Sequence, residues 1–263
     1  MVGITRCSAI LACSAALALP YLASADIAAG GGPPYITDDP EPVDLNHYEF
    51  YISSYYFHNG FGTSGTMPHF EFNYGAAPNL QLHVIAPLAF DQASDSTFNY
   101  GYGATEFGAK YRFVQEGKTM PMIGVFPLVE APTGNASRGL SSSQTQFFLP
   151  VWLQKSLGNW SSYGGGGYWI NPGVGNQNYW FFGWQVQNQV TKQLSIGAEL
   201  FHSTGMPTVD GSAQSGFNIG AVYDIDDGHH VMFSVGRGFE HDNVGTAYLA
   251  YQWTFGPHEK GKG

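Results

Sequence analysis

At 263 residues the chain has room for one large β domain or two small ones. Only 11% of its residues are charged, 16% are aromatic and 35 are glycine. That balance argues against a disordered chain and against a Lys/Glu/Leu-rich helical one. The formal charge of −10 makes nucleic acid a poor partner.

Residues 1–25 read as an export signal. Arg6 is followed by the apolar run "CSAILACSAALAL" and a small-x-small site, "ASA" at 23–25, with cleavage expected before Asp26. The apolar run is too short for a membrane anchor, and Pro20 interrupts it. Cys7 and Cys13, the two cysteines, both lie in this segment, so the exported chain is expected to hold no disulfide and no thiolate metal site. Losing Arg6 and no acid moves the formal charge from −10 to −11. Residues 26–46, with the irregular acidic stretch "PPYITDDPEPVDLN", are expected to form an N-terminal segment on the periplasmic side.

From residue 47 onward the dominant period is two. The alternation predicts strands over about 47–57, 66–76, 80–88, 103–113, 120–130, 144–155, 160–170, 179–190, 194–202, 215–225, 230–237 and 246–255. Most set an apolar face against a polar one, and the faces of the fifth are less distinct. In "GATEFGAKYRF" (103–113), Thr105, Phe107, Ala109, Tyr111 and Phe113 oppose Glu106, Gly108, Lys110 and Arg112. In the eighth strand Trp180, Phe182, Trp184 and Val186 oppose Gln185, Gln187 and Gln189. The seventh, with "GGGG" at 164–167, is thin, as though another segment comes close on its inner side. Pro68, Pro87, Pro121, Pro127 and Pro150 are expected at strand ends or bulges, because a closed sheet has no free edge for them.

Beyond the leader no window holds 18 uninterrupted apolar residues, which leaves open a membrane crossing by short alternating strands. Two patterns favour that crossing. Connections after even-numbered strands are short ("APN", "QEGKT", "SLGNW", "TKQ", "DDGHH") and those after odd-numbered strands are longer, as in outer-membrane barrels. Charges well inside strands, namely Glu49, Glu71, Glu106, Lys110, Arg112, Glu130, Glu199 and Asp224, all sit opposite the apolar face. Lys155 and Arg237 break this parity near strand ends, where the cost of facing lipid fades. The expected fold is all-β: a transmembrane antiparallel up-and-down barrel of about 12 strands over 47–255, with a short tail at 256–263. A soluble barrel would turn its apolar face inward.

Three stretches resemble one family: "PPYITDDPEPVDLNHYEFY", "GATEFGAKYRF" with "EAPTGN" after it, and "VMFSVGRGF…AYLAYQWTF". They look like the exported transporter-like proteins of the "MetA-pathway of phenol degradation" family, over about residues 33–255. The resemblance implies an outer-membrane β-barrel associated with handling aromatic compounds, and carries over no substrate residues. The last strand also resembles an outer-membrane assembly signal, except that "GPHEKGKG" follows Phe255.

No catalytic constellation or cofactor site stands out. Adjacent His202 and Ser203 would point to opposite faces of a strand, and no His-x-Ser arrangement occurs. His229 and His230 read as a turn, and His241 with Asp242 as a loop. Asp91, Asp95 and Asp210 lack calcium-ligand spacing.

Twelve strands would close into a cylinder roughly 24 Å across, leaving on the order of 12 Å between inward side chains. Tyr51, Phe148 and Trp152 would narrow that lumen, and a loop or the N-terminal segment could close it. The expected lining is Glu49, Glu71, Glu106, Lys110, Arg112, Glu130, Gln185, Gln187, Glu199 and Asp224. With six acids against two bases, a mild cation preference follows, and Lys110 and Arg112 are expected to pair with Glu71 or Glu106. The expected partners are outer-membrane lipid and a small-molecule permeant, aromatic compounds among the candidates. The alternatives are a non-conducting structural or ligand-binding barrel and a lipid-modifying barrel enzyme.

Overall fold

The computed structural model describes residues 33–59, 62–93, 97–173, 176–205, 213–239 and 244–257. The expected signal at 1–25, His241 with Asp242, Asp95, Asp210 and most of the C-terminal tail lie outside these residues.

Twelve antiparallel strands close into a barrel. In chain order they are β1 (Tyr48–Asn59), β2 (Gly62–Ala77), β3 (Leu80–Ala93), β4 (Asn99–Tyr102 continued by Thr105–Val114), β5 (Met122–Val125 continued by Leu128–Ala131) and β6 (Gln146–Leu157). Then follow β7 (Trp160–Ile170), β8 (Tyr179–Gln189), β9 (Leu194–Ser203), β10 (Gln214–Asp226), β11 (His229–Gly238) and β12 (Gly245–Phe255). Each strand pairs with the next, and β12 returns to β1, setting Phe255 opposite Tyr48. Those two rings stack at 5.3 Å, so the aromatic end of the last strand helps seal the cylinder.

The alternation sorts chemistry by face. Phe107, Tyr111, Leu200, Ile219, Phe233 and Leu249 are exposed on the outside, while Lys110, Gln154, Gln185, Glu199, Asn218 and Gln252 are buried inside. In water such an outer surface would be an apolar patch far larger than a soluble monomer tolerates. Aromatic pairs ring the short-turn end, among them Tyr48 stacked on Tyr74 at 4.7 Å and Trp253 tilted against Phe255 at 4.5 Å. Such a girdle suits a membrane–water boundary.

Two sequence expectations are corrected. "HNGFGTSG" is not a long loop: β1 runs to Asn59 and β2 resumes at Gly62, with His58 Nδ1 and Thr63 Oγ1 3.0 Å apart across the pair. Polar cross-strand partners let a hairpin continue past the apolar belt. The histidines of "DDGHH" open β11 instead of forming the turn, and His230 bonds Asp224 at 2.7 Å.

The prolines fall where ladders are interrupted. Pro68 occupies a register slip of β2 between Thr66 and His69. Phe126–Pro127 of β5 face Leu149–Pro150 of β6, and no register pairs them. The glycine run of β7 is covered on both faces. A Cβ on Gly165 or Gly167 would meet the inward rings of Trp152 and Phe148, and one on Gly164 or Gly166 the outward rings of Trp184 and Phe182. Aromatic side chains from the two neighbouring strands thus supply the packing that the glycines lack.

Candidate functional site

Residues 33–45 do not join the sheet; they run inside the barrel. Near the short-turn end the Val43 amide donates to Gln81 Oε1 at 2.9 Å. Glu41 meets Arg112 at 3.7 Å and accepts from Gln154 Nε2 at 3.3 Å. Asp38 and Asp39 take the Lys110 ammonium at 2.9 Å and 3.6 Å. Further in, the Glu199 carboxylate accepts the amides of Ile36 and Thr37, each within 3.0 Å of Oε2, and Asn218 Nδ2 at 2.7 Å. Ser234 then donates to the Pro34 carbonyl. The segment thus crosses from β3 to β11, held mainly by charge-assisted bonds, roughly twice as strong as neutral ones.

The wall is shaped for it. Gly183, Gly197 and Gly220 lie on the inner face of consecutive strands β8, β9 and β10. A Cβ on Gly183 would collide with Thr37 Oγ1, one on Gly197 with the Tyr35 hydroxyl, and one on Gly220 would press on Pro34. These glycines form a shallow track, read along the strands as unremarkable small residues but jointly matched to one extended chain.

Lys110 and Arg112 therefore do not pair with Glu71 or Glu106 as expected. Those carboxylates are occupied by His83, a polar-face residue whose role the sequence reading missed. Its Nε2 lies 3.0 Å from Glu106, and its Nδ1 2.6 Å from Asn73 Oδ1 and 3.6 Å from Glu71. Asn73 Nδ2 faces the Glu71 and Glu49 carboxylates, so its oxygen is an acceptor, and both imidazole nitrogens donate. His83 thus fills acceptor sites of these acids, which leaves the two basic side chains for the N-terminal acids.

Beside the segment remains a cavity of about 840 Å³, bordered by Glu49, Glu71, Glu106, Lys110 and Asp224 of the expected set. Gln185 is fully buried, bonds Gln187 at 3.1 Å and lies close to the Tyr35 that crosses it. Glu199 and Arg112 are engaged by the segment, as above. Glu130 is half-buried, opposite Glu106 and Gln146 across its two neighbouring strands. On the segment itself, burial pushes the Asp39 carboxyl up to about 8 against the pull of Lys110. One ammonium between two carboxylates neutralises only one of them.

His202 and Ser203 are not partners. His202 Nδ1 lies 2.9 Å from Ser215 Oγ on the adjacent strand, and among the described residues no carboxylate bonds its ring. A pair without an orienting group is weak ground for nucleophilic chemistry.

At the level of sequence, no family model and no curated protein matches the chain. Solved structures do match in fold. A COG4313 outer membrane channel from Pseudomonas putida F1 superposes with a TM-score of 0.66 at 16% identity, covering 82% of this chain and 98% of that one. The chain has the twelve-stranded barrel fold of that protein. The KdgM porin (TM-score 0.54, 14% identity, 78% and 99% covered) and the NanC porin (0.52, 8%, 79% and 99%) share it.

Proposed function

We propose that the protein is a passive outer-membrane channel for small molecules, held shut at rest by its own N-terminal segment. The observation that carries this reading is the closed cylinder, apolar outside and polar inside, with residues 33–45 bonded across its interior. The expected lining residues then have two duties. Lys110, Arg112, Gln185 and Glu199 hold or underlie the segment, and Glu49, Glu71, Glu106 and Asp224 border the remaining path. The resemblance to phenol-degradation proteins adds aromatic compounds to the expected permeants, and the inward Tyr51, Phe148 and Trp152 are compatible with them. Removal of residues 1–25 on export, with residues 33–45 entering from the periplasmic side, belongs to the same reading.

Proteoliposome swelling by the chain lacking residues 33–44, with neutral and aromatic solutes, tests it: solute-dependent swelling supports a channel shut by that segment, and none at any solute favours a non-conducting, ligand-binding barrel. Acidic side chains outnumber the single Lys110 around the cavity, so reversal potentials in a planar bilayer are expected to show cation preference. Strong anion selectivity would contradict that electrostatic account.

The pH response has a definite sign. Asp39 binds a proton more tightly when seated, near 8, than when released, about 3.9. Its contribution to seating is complete below about pH 4 and lost as the pH rises through about 8. Swelling rates should therefore rise with pH across that window, and Asp39→Asn should lower them and flatten the rise in part, since burial also raises the Glu41 carboxyl on the same segment. An unchanged pH profile in that variant would remove Asp39 from the account.

A further inference from the structure

Among the described residues, two basic side chains lie on the outer, lipid side of strands: Lys155 near the short turns and Arg237 at the opposite end. Lys155 meets the Glu116 carboxylate at 2.6 Å. Arg237 is exposed where β11 leads into a longer connection, the end of such a barrel that faces out of the cell. Strand register sets what stands beside it. Arg237 pairs with Gly245 of β12, Gly245 with His58 of β1, and His58 with Thr63 of β2. These four positions form one row across the outer surface.

The next row toward the membrane centre fixes the depth. It runs from Val235 through Ala247, Tyr56 and Gly65 to Phe90, which pairs with Tyr100. Aromatic side chains gather at the boundary between lipid tails and headgroups. Arg237 and His58, one row further out, therefore stand at headgroup level.

Between them is a notch. A Cβ on Gly245 would meet nothing within 4 Å among the described residues, and the flanking strands stand about 10 Å apart, twice the strand spacing. On one flank the guanidinium of Arg237 offers the planar fork that suits a phosphate. On the other, His58 Nδ1 lies 3.0 Å from Thr63 Oγ1. With Thr63 donating to Nδ1, the ring hydrogen sits on Nε2, a second donor for a phosphate oxygen. Below the notch, Ala247 and the exposed Leu249 continue along β12 into the apolar belt. A ligand that fills the whole feature has an anionic head and a hydrocarbon chain. A partner arriving through water would not reach this lipid-side face.

We infer that the notch at Gly245 binds the phosphate of a phosphorylated glycolipid in the outer leaflet, with an acyl chain lying along Ala247 and Leu249. Binding needs the barrel in its membrane and no flux, so the site and the channel reading stand or fall separately.

The test is native mass spectrometry of the full chain in dodecyl maltoside micelles. The added probes are diphosphoryl lipid A, the same lipid without its phosphates, and inorganic phosphate. The expected result is a saturable adduct of one lipid A per barrel. Arg237→Gln should weaken it severalfold, as should Gly245→Trp, which fills the notch and keeps both flanking groups. Lys155→Gln, at the other end, should leave it unchanged. If Gly245→Trp fails to fold, as judged by heat-shifted electrophoretic mobility, the contrast between Arg237→Gln and Lys155→Gln decides. Equal binding of the dephosphorylated lipid, displacement by an equal concentration of inorganic phosphate, or equal losses in the two charge variants would overturn the site. So would a dimer of barrels that excludes the lipid and is lost in Arg237→Gln, since a second copy would then be the occupant.

Discussion

Deleting residues 33–44 is expected to raise single-channel conductance severalfold while the barrel still folds. The segment contributes no strand to the ladder that closes β12 onto β1, so its loss removes no backbone pairing from the wall. It takes both carboxylates from Lys110, the Glu41 carboxylate from Arg112, which keeps Asn79, and two amide donors from Glu199, which keeps Asn218. In a dry core a single orphaned charge would cost about 3–5 kcal/mol. In a lumen that fills with water the same groups are rehydrated, and the penalty shrinks. Planar-bilayer recordings and urea denaturation together separate the cases. High conductance with near-native stability is the predicted outcome. Unchanged conductance would mean that the segment does not obstruct the path.

The second large effect concerns the outer face. Ile219 lies midway along β10, 52% exposed and flanked by Ala198 and Val235 on the neighbouring strands. Ile219→Arg should destabilise the folded barrel in bilayers by about 2–4 kcal/mol, the range for arginine near the bilayer midplane. One position away, Asn218 is buried and bonded to Glu199, so the same sheet carries a carboxylate within bonding distance of one face and tolerates no charge on the other. The measurement is urea unfolding from phospholipid vesicles. An arginine variant as stable as the parent chain would contradict a lipid-facing surface at that position.

How much of this was written in the sequence depends on the distance over which residues act. Strand faces were legible because alternation is local: Glu106, Lys110 and Arg112 against Phe107, Tyr111 and Phe113 already define two environments. Strand number followed for the same reason, even where β4 and β5 are each interrupted. The ends of β1 and β2 were misjudged because Ser, Thr and Gly resemble loop residues until their cross-strand partners are known. The thin seventh strand was expected to face another segment on its inner side; instead rings from β6 and β8 cover it, inside and outside.

The interior was harder to read. The contact from Lys110 to Asp38 spans 72 positions and that from Ile36 to Glu199 spans 163, so no periodicity reports them. A signal did exist: acids at 38, 39, 41 and 44 lie in a proline-rich stretch, while two bases sit inside the barrel. The nearer carboxylates, Glu71 and Glu106, made a local pairing more obvious. His83 changes that count, since an imidazole bonding two acceptors competes for those acids in a way that formal charge at neutral pH conceals.

A disulfide between the segment and the wall tests the central claim most directly. The mature chain is expected to carry no cysteine of its own, and Thr37 faces Gly183 closely enough that a Cβ there would touch it. Thr37→Cys with Gly183→Cys should cross-link under mild oxidation and hold the barrel at low conductance, and reduction should restore opening. If the two cysteines fail to join, while a thiol reagent added from the short-turn side labels position 37 freely, the segment does not lie across the lumen and the closed-channel account is wrong.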